Sequence, residues 1–198
     1  MRPAVVCFSG KRKSGKDFTC ALLAKRLTSE GLEVAIRGVS YPLKEEYAML
    51  NNLDAELLKS DATYKEIYRQ KMVEWGENIR RKDPTYFCRA AIKNVDAVDV
   101  ILISDCRRAS DIDYFKNRFG NNLRLLVRIN SDVEVRKSRG WLFTSGVDDA
   151  ETECALDCYD SWHFELDNSV NCTRETIPVA LCDQMKRISE QIHQILID

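Results

Sequence analysis

The feature that most constrains this chain is a string near its start, Gly10-Lys-Arg-Lys-Ser-Gly15-Lys16-Asp17. It follows a short, continuously apolar run, Pro3 to Phe8, of the kind that forms a strand buried on both faces. It precedes a segment, Gly15 to Glu30, whose apolar residues at 18, 21, 22, 23 and 27 have helical spacing. Strand, glycine-rich turn and helix in that order form a cradle. The glycines let the backbone turn its N–H groups inward, and the helix N-terminus adds a positive end. Such a cradle fits the phosphates of a nucleoside triphosphate: Gly10, Lys11, Arg12, Lys13, Ser14 and Gly15 surround them and Lys16 reaches the β- and γ-phosphates. Asp17 stands where this pattern usually has Ser or Thr for Mg²⁺. A carboxylate oxygen is also a hard ligand suited to that ion.

The rest of the chain alternates in the same way, which predicts an α/β fold. Gly31 ends the first helix and Leu32 to Val39 reads as a second strand. Leu43 to Ile92 reads as mostly helical, broken at Pro84. Val98 to Ile103 is a third strand, and Ser110 to Phe119 a helix with Ser110 as its N-cap. Leu123 to Ile129 is a fourth strand, and Ser131 to Arg139 a helix again capped by serine. Trp141 to Ala155 reads as an acidic loop, Trp162 to Leu166 as a fifth strand, and Ile177 to Ile197 as a closing amphipathic helix. At 198 residues the length suits one domain. The predicted architecture is three layers, a five-stranded parallel sheet with helices on both faces. The core is expected at about 1–43, 96–138 and 156–198, a helical acceptor-binding insertion at about 44–95, and a lid at about 136–155. Right-handed crossovers gather the strand ends on one edge, where ligands bind in such sheets.

Composition excludes several classes. The net charge of −1 argues against a nucleic-acid protein. No stretch approaches the roughly 18 to 20 apolar residues of a membrane span, and the N-terminal apolar run is too short for a secretory leader. The eight cysteines (7, 20, 88, 106, 154, 158, 172 and 182) include no CxxC pair, and the only histidines are His163 and His193. That spacing does not suit zinc. Cys7, Cys20 and Cys182 sit in apolar runs, as buried thiols do. All eight read as reduced and structural, which implies a reducing compartment.

The third strand ends in Asp105, where a second carboxylate supporting Mg²⁺ sits in folds of this type. An ordinary turn-capping Asp fits the same position. Lys44, Lys65, Arg69, Arg80, Arg89, Arg107 and Arg108 all fall at strand ends or in the helical insertion. On an unbroken helix, positions 65, 69 and 80 lie within about 60° of one another, and Gly76 shares that face, leaving room for a ligand. A solvated charged face is the plain alternative. A hydroxyl acceptor usually needs a positioned base. A phosphate acceptor is already anionic and needs positive charge instead. No isolated Asp or His here looks like a base, and arginines abound, so the acceptor reads as a phosphomonoester. Arg136 and Arg139 share a helix face at i and i+3. The segment after them, with Gly140 and Gly146 as hinges, reads as a lid that closes arginines onto the transferring group. Asp167-Asn168-Ser169, after the fifth strand, either touches the nucleotide or forms a simple turn.

Seven strings then converge: FSGKRKSGKDF (Phe8 to Phe18), PLKEEYA (Pro42 to Ala48), TYKE (Thr63 to Glu66), WGE (Trp75 to Glu77), DP-x-x-FCR (Asp83 to Arg89), SDCRR-x-SDI (Ser104 to Ile112) and RGW-x-F-x-x-GVDDAE-x-EC (Arg139 to Cys154). Together they resemble the animal phosphomevalonate kinase family, from about residue 4 to 170. The resemblance implies the three-layer P-loop kinase fold of nucleoside-monophosphate kinases. It also implies transfer of the γ-phosphoryl of ATP, with Mg²⁺, to (R)-5-phosphomevalonate, in isoprenoid and sterol synthesis. Taken together, the loop, the strand end, the helix faces and that resemblance make Lys16 and Arg107 catalytic, with Asp105 beside them, and give Asp17 and Asp105 to the metal. Lys44, Lys65, Arg69, Arg80, Arg89, Arg108 and Asn168 fall on the acceptor side. Arg128, Arg136, Arg139, Ser169 and Arg174 fall on the nucleotide side, with Ser169 standing where relatives carry His. The tail Ile-Leu-Ile-Asp is not a peroxisomal tripeptide. A cytosolic monomer acting on small molecules is therefore expected, with neither nucleic acid nor membrane as partner. From the residues alone two rivals stay open: a small P-loop kinase for a nucleoside monophosphate or dephospho-coenzyme A, and a non-catalytic nucleotide-binding module.

Overall fold

The N-terminal apolar run becomes the middle of the sheet. The computed structural model describes residues 2–60, 62–95, 97–120, 124–170 and 177–197. Its strands are β1 (Ala4–Ser9), β2 (Val34–Arg37), β3 (Val100–Ile103), β4 (Arg124–Asn130) and β5 (Phe164–Asp167). Its helices are α1 (Lys16–Ser29), α2 (Ser40–Asn51), α3 (Ala55–Ser60), α4 (Ala62–Lys82), α5 (Tyr86–Ala91), α6 (Ala109–Phe119), α7 (Val133–Ser138), α8 (Glu151–Cys154) and α9 (Val179–Ile197). The chain divides into two compact units, Met1–Ile36 with Val95–Asp198, and Arg37–Asn94.

The first unit carries the sheet, in the order β2-β3-β1-β4-β5. The β1–β3, β1–β4 and β4–β5 pairs run parallel. All six residues of β1 are buried, because helices cover both faces. Side chains alternate between those faces along a strand. Ala4, Val6 and Phe8 pack with Leu23 and Leu27 of α1 and with Leu181, Met185, Ile188 and Ile192 of α9. On the opposite face α6 packs against β1 and β4, burying Ile112 and Phe115. Each such side chain is worth about 1.5–3 kcal/mol of burial.

Two expected caps are corrected. Ser110 does not cap α6; Arg108 holds the N-cap position, and the Asp111 carboxylate accepts the N–H of Arg107 at 3.0 Å and of Arg108 at 3.1 Å. Asp132, not a serine, stands at the N-cap of α7, and the Ser131 hydroxyl donates instead to the Asn168 carbonyl at 3.0 Å. Cys182 is exposed, contrary to expectation. It lies one residue off the buried stripe of α9, which runs through Leu181, Met185, Ile188 and Ile192. The acidic loop contains the short helix α8, and β2 stops at Arg37 rather than Val39.

The second unit is four helices, α2 to α5. The break at Pro84 is present, and a further break follows Asn52, whose φ of 55° ends α2. Asp54 then accepts the N–H groups of Glu56 at 2.8 Å and Leu57 at 3.0 Å, starting α3. α4 passes through Gly76 without interruption. The space at Gly76 is not ligand room: a Cβ there would lie 2.5 Å from Leu43 Cδ1, so the glycine lets α2 pack closely on α4.

Candidate active site

The site is built where β1 ends. Gly10 has φ +152°, and a Cβ on it would lie 2.5 Å from the Ile129 carbonyl oxygen, so only glycine lets the loop pass β4. Gly15, at φ +95°, is the N-cap of α1 and packs under the Asn168 amide. Between them Lys16 turns its ammonium into the loop and donates to Gly10 O at 2.6 Å and Lys11 O at 3.0 Å. Burial lowers its pKa to about 7, helped by Arg107 and, less, Arg128; Asp17 and Asp105 pull the other way. The Ser14 hydroxyl is buried in the same loop with no hydrogen-bond partner, and so is the Ser104 hydroxyl at the end of β3. Buried orphan donors are rare, and a phosphate oxygen is a natural acceptor for them.

The segment expected to form a lid contacts this loop. The Arg136 guanidinium, over the Trp141 ring at 4.1 Å, donates from Nε to the Arg12 carbonyl at 2.8 Å. Arg139 donates to Ser14 O at 3.2 Å and to Asn168 O at 2.9 Å, tying the loop to the segment after β5. Arg136 and Arg139 therefore both reach the backbone of the glycine loop. Arg12 pairs with Asp148 at 2.9 Å, and Asp148 also accepts the Trp141 indole N–H at 2.9 Å. Glu153 accepts the Arg12 backbone N–H at 3.1 Å with one oxygen and forms a salt bridge with Arg107 with the other. Asp157 pairs with Lys11 at 2.5 Å and with Arg128 at 3.1 Å.

The structure thus brings together Gly10, Lys11, Arg12, Ser14, Gly15, Lys16, Arg107, Arg128, Arg136 and Arg139. Lys13 belongs to the loop but is exposed, at φ 61°. Asp17 is exposed in the first turn of α1, and Asp105 is buried just after β3. Both act electrostatically on Lys16 and both push up the buried Cys20 thiol, after burial itself, so they share one neighbourhood. Arg108 pairs with Glu151 at 3.2 Å. The buried Asn168 donates its side-chain amide to Ser14 O at 2.8 Å and so supports the loop. Ser169 accepts the Asp132 N–H at 3.0 Å. It lines a cleft of about 400 Å³ beside the loop, with Lys11, Ser14, Ser131, Asp132 and Asp167. Arg174 lies outside the described residues.

The remaining basic residues belong to the helical unit. Lys44 lies over the Tyr41 ring at 5.4 Å, and Arg80 over the Phe87 ring at 4.8 Å. Arg69 pairs with Glu66, Arg80 with Glu77 and Arg89 with Asp83. Lys65, Arg69 and Arg80 share the unbroken α4.

Sequence reasoning missed Asp148, Glu153 and Asp157. The signal was an acidic segment next to a strongly cationic one, which gives complementarity of charge without naming pairs. Among the described residues no group of three or more His, Cys, Asp or Glu forms a ready-made metal site. No helix among them is long and apolar enough to cross a membrane.

A family model described as phosphomevalonate kinase matches residues 8–121. A Drosophila melanogaster protein named phosphomevalonate kinase is 39% identical over 181 residues, covering 89% of this chain and 94% of that relative. Among solved structures, a shikimate kinase from Acinetobacter baumannii in complex with shikimate aligns with a TM-score of 0.50 at 14% identity. That alignment covers 97% of this chain and 94% of the other, and it shows a shared fold.

Proposed function

The chain belongs to the phosphomevalonate kinase family, and on that premise we propose that it transfers the γ-phosphoryl group of ATP to (R)-5-phosphomevalonate, giving 5-diphosphomevalonate and ADP. The observation that carries the chemical reading is Lys16, a buried ammonium inside a glycine loop with Arg107 and Arg128 acting on it. Three cations crowded in a desolvated place raise one another's energy, and a polyanion relieves that.

The loop N–H groups, the Ser14 hydroxyl and Lys16 hold the β- and γ-phosphates. Arg107 takes the charge of the transferring group, with Arg108 beside it. An oxygen of the acceptor's phosphate attacks the γ-phosphorus, and the bond from that phosphorus to the β–γ bridging oxygen breaks as ADP leaves. That acceptor oxygen is already anionic, so no general base is required. Lys44, Lys65, Arg69, Arg80 and Arg89 offset the charge of the acceptor. Arg136 and Arg139 fix the lid to the loop, and Asn168 holds the loop from behind. Asp17 and Asp105 fit Mg²⁺ because they are hard oxygen donors sharing one neighbourhood, and this ion is commonly held by one or two carboxylates plus substrate phosphates. When bound, Mg²⁺ neutralises charge on the β- and γ-oxygens. The seven described cysteines are free thiols, which supports a reducing compartment such as the cytosol.

The test is an ADP-release assay with phosphomevalonate, nucleoside monophosphates and dephospho-coenzyme A as acceptors. Turnover with phosphomevalonate alone is expected. Turnover of a nucleoside monophosphate in its place would overturn the reading.

A further inference from the structure

The lid carboxylates occupy groups that the proposed reaction assigns to phosphate. Glu153 is the clearest case. Its side chain is only 4% exposed. One oxygen takes the Arg107 guanidinium and the other the Arg12 backbone N–H, at 3.1 Å. A guanidinium plus a loop N–H is the donor set that a phosphoryl oxygen uses. Asp148 and Asp157 extend the pattern. Together the three carboxylates pair with four cations, Lys11, Arg12, Arg107 and Arg128. They sit on one short stretch, residues 148–157, that includes α8.

A transferring phosphoryl group brings a charge of roughly −1.5 to −2 to the same cations. Two anions sharing one set of donors repel, and in a buried place they repel strongly. Glu153 and the phosphate therefore compete for the same groups. We propose that Glu153 is an exchange partner for the transferring phosphate. Its carboxylate holds Arg107 and the loop N–H of Arg12 in position, then yields them as the triphosphate enters. Phosphate binding and release of residues 148–157 from the loop are then one event. This rests on the reading of the Gly10–Asp17 loop and Arg107 as phosphate-binding groups.

Exchange makes a thermodynamic prediction that a fixed positioning role does not. A ligand that must displace an internal competitor binds more weakly by the fraction of protein in which the competitor is absent. Removing the competitor's charge should tighten binding. ATP with Mg²⁺ is titrated calorimetrically into the full chain carrying Glu153→Gln or Asp157→Asn. The expected result is a Kd lowered about tenfold for Glu153→Gln and about threefold for Asp157→Asn. Asp157 is 39% exposed, so its variant folds even if the buried substitution does not. Unchanged or weaker ATP binding in every variant that folds overturns the proposal. A tenfold loss of kcat at unchanged Kd in Glu153→Gln overturns it too, by making Glu153 a fixed support for Arg107. A Lys16→Met control separates the two levels: if that variant turns over normally, the phosphate-loop reading fails first.

Discussion

The two units hold their positive charge in different ways. The helical-unit arginines assigned to the acceptor pair with sequence neighbours, Arg69 with Glu66 and Arg80 with Glu77 at i, i+3, and Arg89 with Asp83 six residues away, while Lys59 of that unit reaches back to Glu45. The glycine-loop cations of the sheet unit pair far along the chain, Arg12 with Asp148, 136 residues on, and Lys11 with Asp157, 146 residues on, while Arg26, Lys137 and Lys186 of the same unit pair within one helical turn. Local pairs come with the helix, so they persist whatever else the protein does. The long-range pairs exist only because the fold brings residues 148–157 to the loop, and under the exchange proposed above they are the pairs a phosphate would replace. Pairing distance therefore separates cations whose partners their own segment supplies from cations whose partners the fold brings from residues 148–157.

The largest expected effect lies at Lys16. Lys16→Met removes a charge felt most in the transition state, and kcat should fall by about 10²–10³ or more. The same variant should melt higher at pH 7, because the parent must keep an ammonium desolvated there. Stability and activity moving in opposite directions is the signature of a buried site charge. Steady-state kinetics with differential scanning calorimetry checks both. Near-normal kcat would erase the contrast between the two units.

The next effect is on pH. Burial, then Arg107, holds the Lys16 pKa near 7 rather than 10.5. A depressed lysine binds fewer protons folded than unfolded, so its cost to stability is full below pH 7 and vanishes as pH rises through 10.5. Phosphate binding reverses the shift by placing anions beside the ammonium. ATP binding at pH 8 should therefore take up part of a proton, and affinity should weaken by up to about tenfold per pH unit above 7. Calorimetry in buffers of different ionisation enthalpy measures the uptake, and Lys16→Met should abolish it. No uptake would mean that Lys16 is already charged before the ligand arrives.

What could be read from the sequence follows the same division. The glycine loop, the buried strands and the break at Pro84 depend on residues a few positions apart, and their patterns survive in one dimension. The i, i+3 charge pairs of α4 are local in the same sense. The Glu153–Arg107 pair is not: it depends on the chain returning after α7, and any of several acidic residues in the segment would have fitted equally. Ser131 and Asn168 show the same limit. Both sit at turns, where a serine suggests a cap and an asparagine a ligand contact, yet both are tied to each other and to the loop. Gly76 read as open space because a sequence shows that a side chain is missing, not that Leu43 fills the place.

In the helical unit, Lys65→Ala should raise KM for the acceptor about tenfold and leave kcat within a few-fold, as removal of uniform binding does. Initial-rate kinetics varying each substrate in turn reads this directly. An effect confined to KM for ATP would move Lys65 to the other substrate and blur the contrast drawn above.

The smallest effect tests that contrast at its base. Glu66 is about half exposed and pairs with Arg69 one helical turn away. Pairs of this kind contribute about 0.2–0.5 kcal/mol, since water solvates either partner as well once the other is gone. Glu66→Gln should therefore shift the urea midpoint by less than about 0.5 kcal/mol in equivalent stability. It should also leave ATP affinity unchanged, where Glu153→Gln tightens it. If Glu66→Gln instead lowers KM for the acceptor, Glu66 competes with the acceptor for Arg69 as Glu153 competes with ATP for Arg107. Short pairing distance would then no longer distinguish a cation that keeps its partner, and both units would hold their cations by the same exchange.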